Sequence, residues 1–469
     1  MNNTKEATSK EVYLYSTGNI ANTAIFNFVG TYIMFYYTDI LGIPGTIAGT
    51  IFLVARIIDA MTDPIMGMII DHTNNKHLGK YRPYIIFGAP FLGAIFVAMF
   101  TMPSFSLTGR IIYAYTAYIL YSIAWTIVQI PQLALPIILS NNVARRTKIQ
   151  AIFQALGNVG ALAVTALAIP LLNYFGGDTN PQAWTTVAVI FAVGCTIIFI
   201  FSAMSVRRLD VYNPVQAKKK TSEPKMSFGQ KMRVITTNLP LMLILISFGT
   251  DSLAIQIGNA LNMYFFKYNM VNKTNLMGLI NWALMIFSFV LIFIVDRYVS
   301  TFGKKYGIII AETLAIAAAA GLYFTPSTTT WLVMVWLIAS ALIGAINNML
   351  SRSAVLDSAN WAEWKTGVNG SALVSSTFTF VNKFSQAIGV FIMGHVLDYV
   401  GYQPLLPYQS KATLDAILNM KTLVPIAAFI CSVVAMSFYP ITKKKEKEME
   451  SFITEKRAQE ATELQQMEN

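Results

Sequence analysis

The sequence predicts an all-α membrane protein of twelve transmembrane helices in two six-helix bundles, and three observations predict it. Of its 469 residues, 55% are hydrophobic and only 12% charged, more apolar surface than one soluble core of this length would use. Apolar stretches of roughly 20 residues, the length that crosses a hydrocarbon layer, recur along the whole chain. Lys and Arg gather in alternate connections, as the positive-inside rule expects of a multi-pass protein.

Six spans are expected at residues 18–41, 44–70, 84–102, 111–140, 150–174 and 184–206, and six more at 239–266, 276–295, 306–324, 331–350, 370–400 and 423–439. The polar stretch 207–238, with Lys218, Lys219 and Lys220, separates an N-terminal bundle, 1–206, from a C-terminal bundle, 239–442, and 443–469 is a mixed Lys/Glu tail. Residues 1–12 are polar and lead to no small-residue cleavage site, so the first span is expected to act as its own insertion signal. With the amino terminus inside, the basic loops 72–83, 145–148, 207–233 and 297–305 and the basic tail all lie on the inner side. Lys5 and Lys10 before the first span, and Arg352 and Lys365 between the tenth and eleventh, fall on the inner side too, whereas the outer connections hold only Arg110, Lys267, Lys273, Lys411 and Lys421. Both termini are therefore expected in the cytoplasm of a cell whose plasma membrane holds the chain. A net charge of +11 spread over these loops, and not collected on one face, excludes a nucleic-acid partner and leaves membrane lipid as the surroundings. Cys195 and Cys431 both fall in apolar segments, so no disulfide framework or thiolate metal site is expected.

The second span carries Arg56, Asp59 and Asp63. An ionisable group in hydrocarbon costs roughly 2.5–3.5 kcal/mol on insertion scales, which makes each a functional candidate. Asp59 and Asp63 are one helical turn apart and share a face with Arg56. Two carboxylates so placed form an oxygen-rich pocket for a small monovalent cation or a proton; Thr62 beside them, and Thr126 from the fourth span, add neutral oxygens. The bland alternative is an ion pair of Arg56 with Asp59 that only locks helices together. Lys383 in the eleventh span has the opposite sign and suits a partner role. Asp251, within Thr250-Asp251-Ser252, either lines a cavity or caps a helix break near Gly249. The segments Gly67 to Asp71 then Gly79 to Pro83, and Asp296-Arg297 then Gly303-Lys304-Lys305, occupy matching places in the two halves, as in transporters built from internal repeats. No phosphate loop, zinc-protease motif, nucleophile elbow or dinucleotide fingerprint is present, so the chain reads as a carrier and not an enzyme, driven by an ion gradient and without an organic cofactor.

The run Arg56-Ile-Ile-Asp59-Ala-Met-Thr-Asp63-Pro64-Ile-Met-Gly67, with Asp71 and Thr73 and then Gly79-Lys80-Tyr81-Arg82-Pro83, resembles the signature of the glycoside-pentoside-hexuronide:cation symporters, a family with the major facilitator fold. Tyr36-Tyr37-Thr38-Asp39-Ile40-Leu41-Gly42, Ile130-Pro131, Trp361-Ala362-Glu363-Trp364-Lys365-Thr366-Gly367 and Gly401-Tyr402 extend the likeness over nearly the whole chain. The resemblance implies symport of a glycoside or short oligosaccharide with Na+, Li+ or H+, the cation held by Asp59 and Asp63 with help from Thr62 and Thr126. It places Lys383 between cation and sugar. Arg56, Gly67, Asp71, Arg82 and Asp251 are the charge-pairing or gating candidates. Where galactoside carriers of the family present aspartates on the first and fourth helices, this chain has Thr23 and Gln129, and Phe153 or Gln154 stands where they have an arginine. Asn22, Thr23, Trp125, Gln129, Gln154, Thr379 and Lys383 form the expected sugar-binding set, with Trp125 as a platform for a pyranose face. The expected form is a monomer. Two rival readings are a carrier of lysolipids or other amphiphiles on the same fold, and a membrane sugar sensor that binds without flux.

Overall fold

A computed structural model describes residues 6–73, 78–140, 143–211, 235–366, 371–404, 406–449 and 451–452. Helix α1 (Ser9–Phe35) continues into a π-turn, Tyr36–Ile40. It is followed by α2 (Gly45–His72), α3 (Arg82–Met99), α4 (Leu107–Ala134), α5 (Val143–Tyr174) and α6 (Pro181–Ser205). Helix α7 (Leu239–Tyr264) ends, like α1, in a five-residue π-turn, Phe265–Asn269. The helical stretch Asn275–Phe324 is two spans, α8 and α9, divided at Gly303, whose φ of 71° and ψ of 171° lie far from helical values. Helices α10 (Thr330–Thr366), α11 (Ser371–Tyr399) and α12 (Lys411–Ser437) complete the twelve. Among the described residues nine helices are long and apolar enough to cross a membrane on those grounds alone, and α1, α2 and α8 are the others. The matching π-turns on the first and seventh helices give the internal repeat a structural counterpart.

Several boundaries are corrected: α1 starts at Ser9 and not at 18, and α10 runs to Thr366 and not to 350, taking in Arg352 and Lys365. Lys421, expected in an outer connection, lies inside α12, which starts at Lys411 and not near residue 423. Three polar side chains in its first turns, Lys411, Asp415 and Lys421, dilute the hydropathy that marks a span. The Lys421 ammonium is 8% exposed and donates to the carbonyl of Gly258 at 3.2 Å.

Packing divides the chain into two compact units. The first holds Met1–Glu223, Asn259–Met285 and Val390–Ile417, so the C-terminal ends of α7 and α11 belong with the first six helices. The second holds Pro224–Gly258, Ile286–Gly389 and Leu418–Asn469. Most of the expected central connection, 207–238, and of the tail, 443–469, lies outside the described residues.

In the first unit Phe28, Tyr32, Tyr36, Phe96, Phe100 and Trp184 form a buried aromatic core in which rings stack or meet edge to face. Helix α1 begins in a capping box, Thr8 and Glu11 each accepting from the other's backbone N–H, at 3.3 and 2.7 Å. Helix α2 has no such local cap. Its N-cap is Pro44, and the N–H groups of Gly45 and Thr46 are instead received by the carboxylate of Asp398, in the last turn of α11, at 2.8 and 2.7 Å. Helices α1 and α5 touch backbone to backbone: a Cβ on Gly160 would overlap the carbonyl oxygen of Ile20 and stand 2.7 Å from its Cα. On the same contact Asn19 donates to the carbonyl of Phe153 at 2.8 Å. The second unit is built on Leu241, Ile244, Phe248, Leu350, Ala354, Phe378, Met436 and Tyr439.

Candidate functional site

Helices α2 and α4 pack side by side, and their polar residues match in register. Asp59 Oδ1 accepts a short hydrogen bond from Ser122, and one turn on, Asp63 Oδ1 accepts from Thr126 at 3.0 Å. Each hydroxyl lies 63 residues after its acid, so the two rungs follow from one helix pairing. Arg56, one turn before Asp59, reaches Asp59 Oδ2 through Nη1 at 2.7 Å. Its guanidinium stands 5.8 Å from the ring centre of Phe26. Asp59 is 2% exposed, and a carboxylate so deep needs its charge and lone pairs met. Arg56 and Ser122 do both. The arrangement can hold a small hard cation among carboxylate and hydroxyl oxygens.

Thr62 turns its hydroxyl back to the Asp59 carbonyl, at 3.4 Å. The second hydroxyl at the site is Ser122. The sequence carries only its spacing, one turn before Thr126 as Asp59 stands one turn before Asp63, which gains meaning once α4 is laid against α2.

An aromatic wall adjoins the acids. Trp125 packs on Phe26 and Tyr121 with ring centres 5.5 and 5.9 Å apart, and Tyr121 meets Tyr118. The indole N–H donates to Gln129 Oε1 at 2.8 Å, which leaves the Gln129 amide nitrogen as a donor for a ligand. Asn22, 6% exposed, donates to Asn19 at 3.2 Å and keeps a buried oxygen, Oδ1, without a donor. Thr23 holds two helices together. Its hydroxyl is engaged by the carbonyls of Gly157, at 2.5 Å, and Asn19, at 2.8 Å, and so fastens α1 to α5. Phe153 stacks on Tyr15 at 5.2 Å, while Gln154 beside it is exposed.

The candidates in the second unit are described within it. Thr379 is exposed and donates to the Ser375 carbonyl at 3.0 Å, and Lys383 is half-buried on the same helix, α11. Asp251 caps no helix break, because α7 runs unbroken through Gly249. It is 2% exposed and accepts from Asn347 at 3.0 Å.

Of the remaining gating candidates, Gly67 has open space around its Cα and Asp71 falls on the last turn of α2, its side chain outside the described residues. Arg82 is buried at 2% exposure, its Nε donating to the Ala203 carbonyl at 3.0 Å. Asp210 is the partner missed in sequence: its carboxylate accepts the N–H groups of Lys80, Tyr81 and Arg82 at 2.9, 3.0 and 2.9 Å. Two of the resemblance motifs also meet. Asp39, fully buried after α1, accepts from Tyr402 at 2.7 Å and from Tyr268 at 2.6 Å, so Tyr36–Ile40 and Gly401-Tyr402 are two sides of one contact within the first unit.

The model of the family described as MFS/sugar transport protein matches residues 14–443. The chain is 32% identical over 461 residues to the isoprimeverose transporter of Lactiplantibacillus pentosus, covering 96% of this chain and 92% of that one. It is 31% identical over 460 residues to the symporter YnaJ of Bacillus subtilis (strain 168), covering 95% of each. Among solved structures, a bacterial homologue of the human drug peptide transporters PepT1 and PepT2 superposes with a TM-score of 0.64 at 13% identity, covering 92% of this chain and 98% of that one, a likeness of fold.

Proposed function

The chain belongs to the MFS/sugar transport protein family, and from that premise we propose that it is a secondary carrier that moves a glycoside or short oligosaccharide together with Na+, Li+ or H+ by alternating access. The observation that carries the coupling is the matched pair Asp59–Ser122 and Asp63–Thr126, deep in a spanning helix. A cation there offsets carboxylate charge that hydrocarbon penalises. Asn22, Trp125 and Gln129 supply a flat apolar face, an acceptor and a donor for sugar hydroxyls. Gln154 of α5, and Thr379 and Lys383 of α11, remain sugar-binding candidates by residue type. The basic inner loops support cytoplasmic termini in a plasma membrane, and the proposed form is a monomer.

The test is uptake of labelled sugars into vesicles of reconstituted protein under an imposed Na+, Li+ or H+ gradient, with isoprimeverose first and neutral glucosides and xylosides after it. Stimulation by one gradient is the expected result. Sugar uptake indifferent to all three removes the coupling, and flux of lysolipid without flux of any sugar selects the amphiphile carrier. Because linkage is reciprocal, calorimetry should show the sugar tightening the cation by the same factor as the cation tightens the sugar.

Ser122→Ala and Thr126→Val each delete one hydroxyl from a carboxylate. A hydrogen bond to a charged group contributes about 1.5–3 kcal/mol, so the half-saturating cation concentration should rise roughly 10- to 100-fold, with the uptake rate at saturating cation little changed. Thr62→Val, whose hydroxyl faces backbone, should change neither.

A further inference from the structure

The second unit holds another pair of acids, away from Asp59 and Asp63 in the sequence and on different helices. Asp251 on α7 and Glu312 on α9 are 2% and 1% exposed. Their carboxyls lie within hydrogen-bonding reach of each other. Asn347 of α10 gives its amide nitrogen to Asp251 Oδ2, at 3.0 Å, and to Glu312 Oε1. Ser432 of α12 donates to Glu312 Oε1 at 3.3 Å and shares a 2.6 Å hydrogen bond with Ser247 of α7.

Every donor within this cluster points at an oxygen, and oxygens are left over. Asp251 Oδ1 and Glu312 Oε2 are buried without a donor. So is Asn347 Oδ1, on a neutral amide that is itself only 6% exposed. Neither acid has an ion-pair partner among the described residues; the other titratable group facing Asp251 is the Cys431 thiol of α12. Two carboxylates in contact away from water cannot both keep their charge. One positive charge between them removes the conflict. A proton does so without the shell of several oxygen ligands that a metal cation requires.

We propose that Asp251 and Glu312 form a proton-binding site in the second unit, one proton being shared as a carboxyl–carboxylate hydrogen bond that Asn347 and Ser432 orient. The site is separate from the one at Asp59 and Asp63 and does not rest on the transport reading. No bond other than O–H forms or breaks: a proton from water binds the pair and returns to water.

Infrared difference spectroscopy of the full-length protein in lipid vesicles tests it. At neutral pH the wild-type chain should show the carbonyl band of a protonated carboxyl that shifts in heavy water and persists when Na+ is added. Asp251→Asn and Glu312→Gln should each abolish the band, and Asp59→Asn and Asp63→Asn should retain it. Ser432→Ala, which alters no carboxyl and removes one donor from Glu312, should shift its frequency. The proposal is overturned if the wild-type band is absent, if Na+ abolishes it, if it survives in both carboxyl variants, or if it is unmoved in Ser432→Ala.

Discussion

Asp63→Asn is expected to leave sugar uptake insensitive to a Na+, Li+ or H+ gradient while the protein still folds. The variant keeps the shape of the side chain and its contact with Thr126 but withdraws a full negative charge from the pocket. Two unit charges 4 Å apart attract by about 4 kcal/mol at an effective dielectric constant of about 20, which is roughly a thousandfold in cation affinity. Asp59→Asn should lose coupling too, but at a further cost, because Arg56 at 2.7 Å, itself half-buried, is then left without its counter-charge. Breaking a buried pair from one side costs about 3–5 kcal/mol, so this variant should also lose folded protein. Arg56→Met combined with Asp59→Leu should restore the folded yield without restoring coupling. Thermal unfolding in detergent alongside gradient-driven uptake separates the two effects. If Asp59→Asn and Asp63→Asn both keep full cation stimulation, the pair is a structural lock and nothing more.

Gly160→Ala should be among the most damaging small substitutions in the first unit. The added Cβ meets backbone and not a movable side chain, with Ile20 Cα at 2.7 Å and its carbonyl carbon at 2.8 Å. Helix α1 would have to retreat, and the Asn19–Phe153 and Thr23–Gly157 hydrogen bonds would stretch with it. Overpacking of this kind costs about 1–3 kcal/mol, and two weakened hydrogen bonds add about 1 kcal/mol each. Gly67→Ala is the control, because nothing lies within 4 Å of the Cβ it would add. Helix propensity favours that change by up to about 1 kcal/mol, so its unfolding temperature should hold or rise while that of Gly160→Ala falls.

The spans are legible because each is a property of one contiguous segment, and even the division at Gly303 shows as a Gly-Lys-Lys between apolar runs. Asp59 and Asp63 are legible for the same reason: their relation is one turn of a single helix. What escapes is whatever depends on the register between helices. Ser122 is an ordinary serine until α4 is laid against α2. Glu312 stands alone in an apolar run, and its meaning comes from Asn347, 35 residues on, which is in turn 96 residues from Asp251. Thr23 is the opposite case. A hydroxyl at the position of a sugar-binding aspartate suggests a ligand contact, yet the close approach of α5 puts the Gly157 carbonyl within its reach. Lys421 was misplaced because a window over hydropathy cannot know that a cation within it meets a backbone carbonyl.

The helix bearing Asp59 and Asp63 borrows the acceptor for its first amides from Asp398, 353 and 352 residues downstream. Synthesis runs in one direction, so α2 enters the bilayer with two N–H groups turned towards water or headgroups, and they stay so until most of the chain has left the ribosome. A polypeptide that stops before residue 398 leaves the first turn of that helix without its acceptor. The capping of the acid-bearing helix is thereby tied to near-completion of translation, although the partners of both acids are made long before.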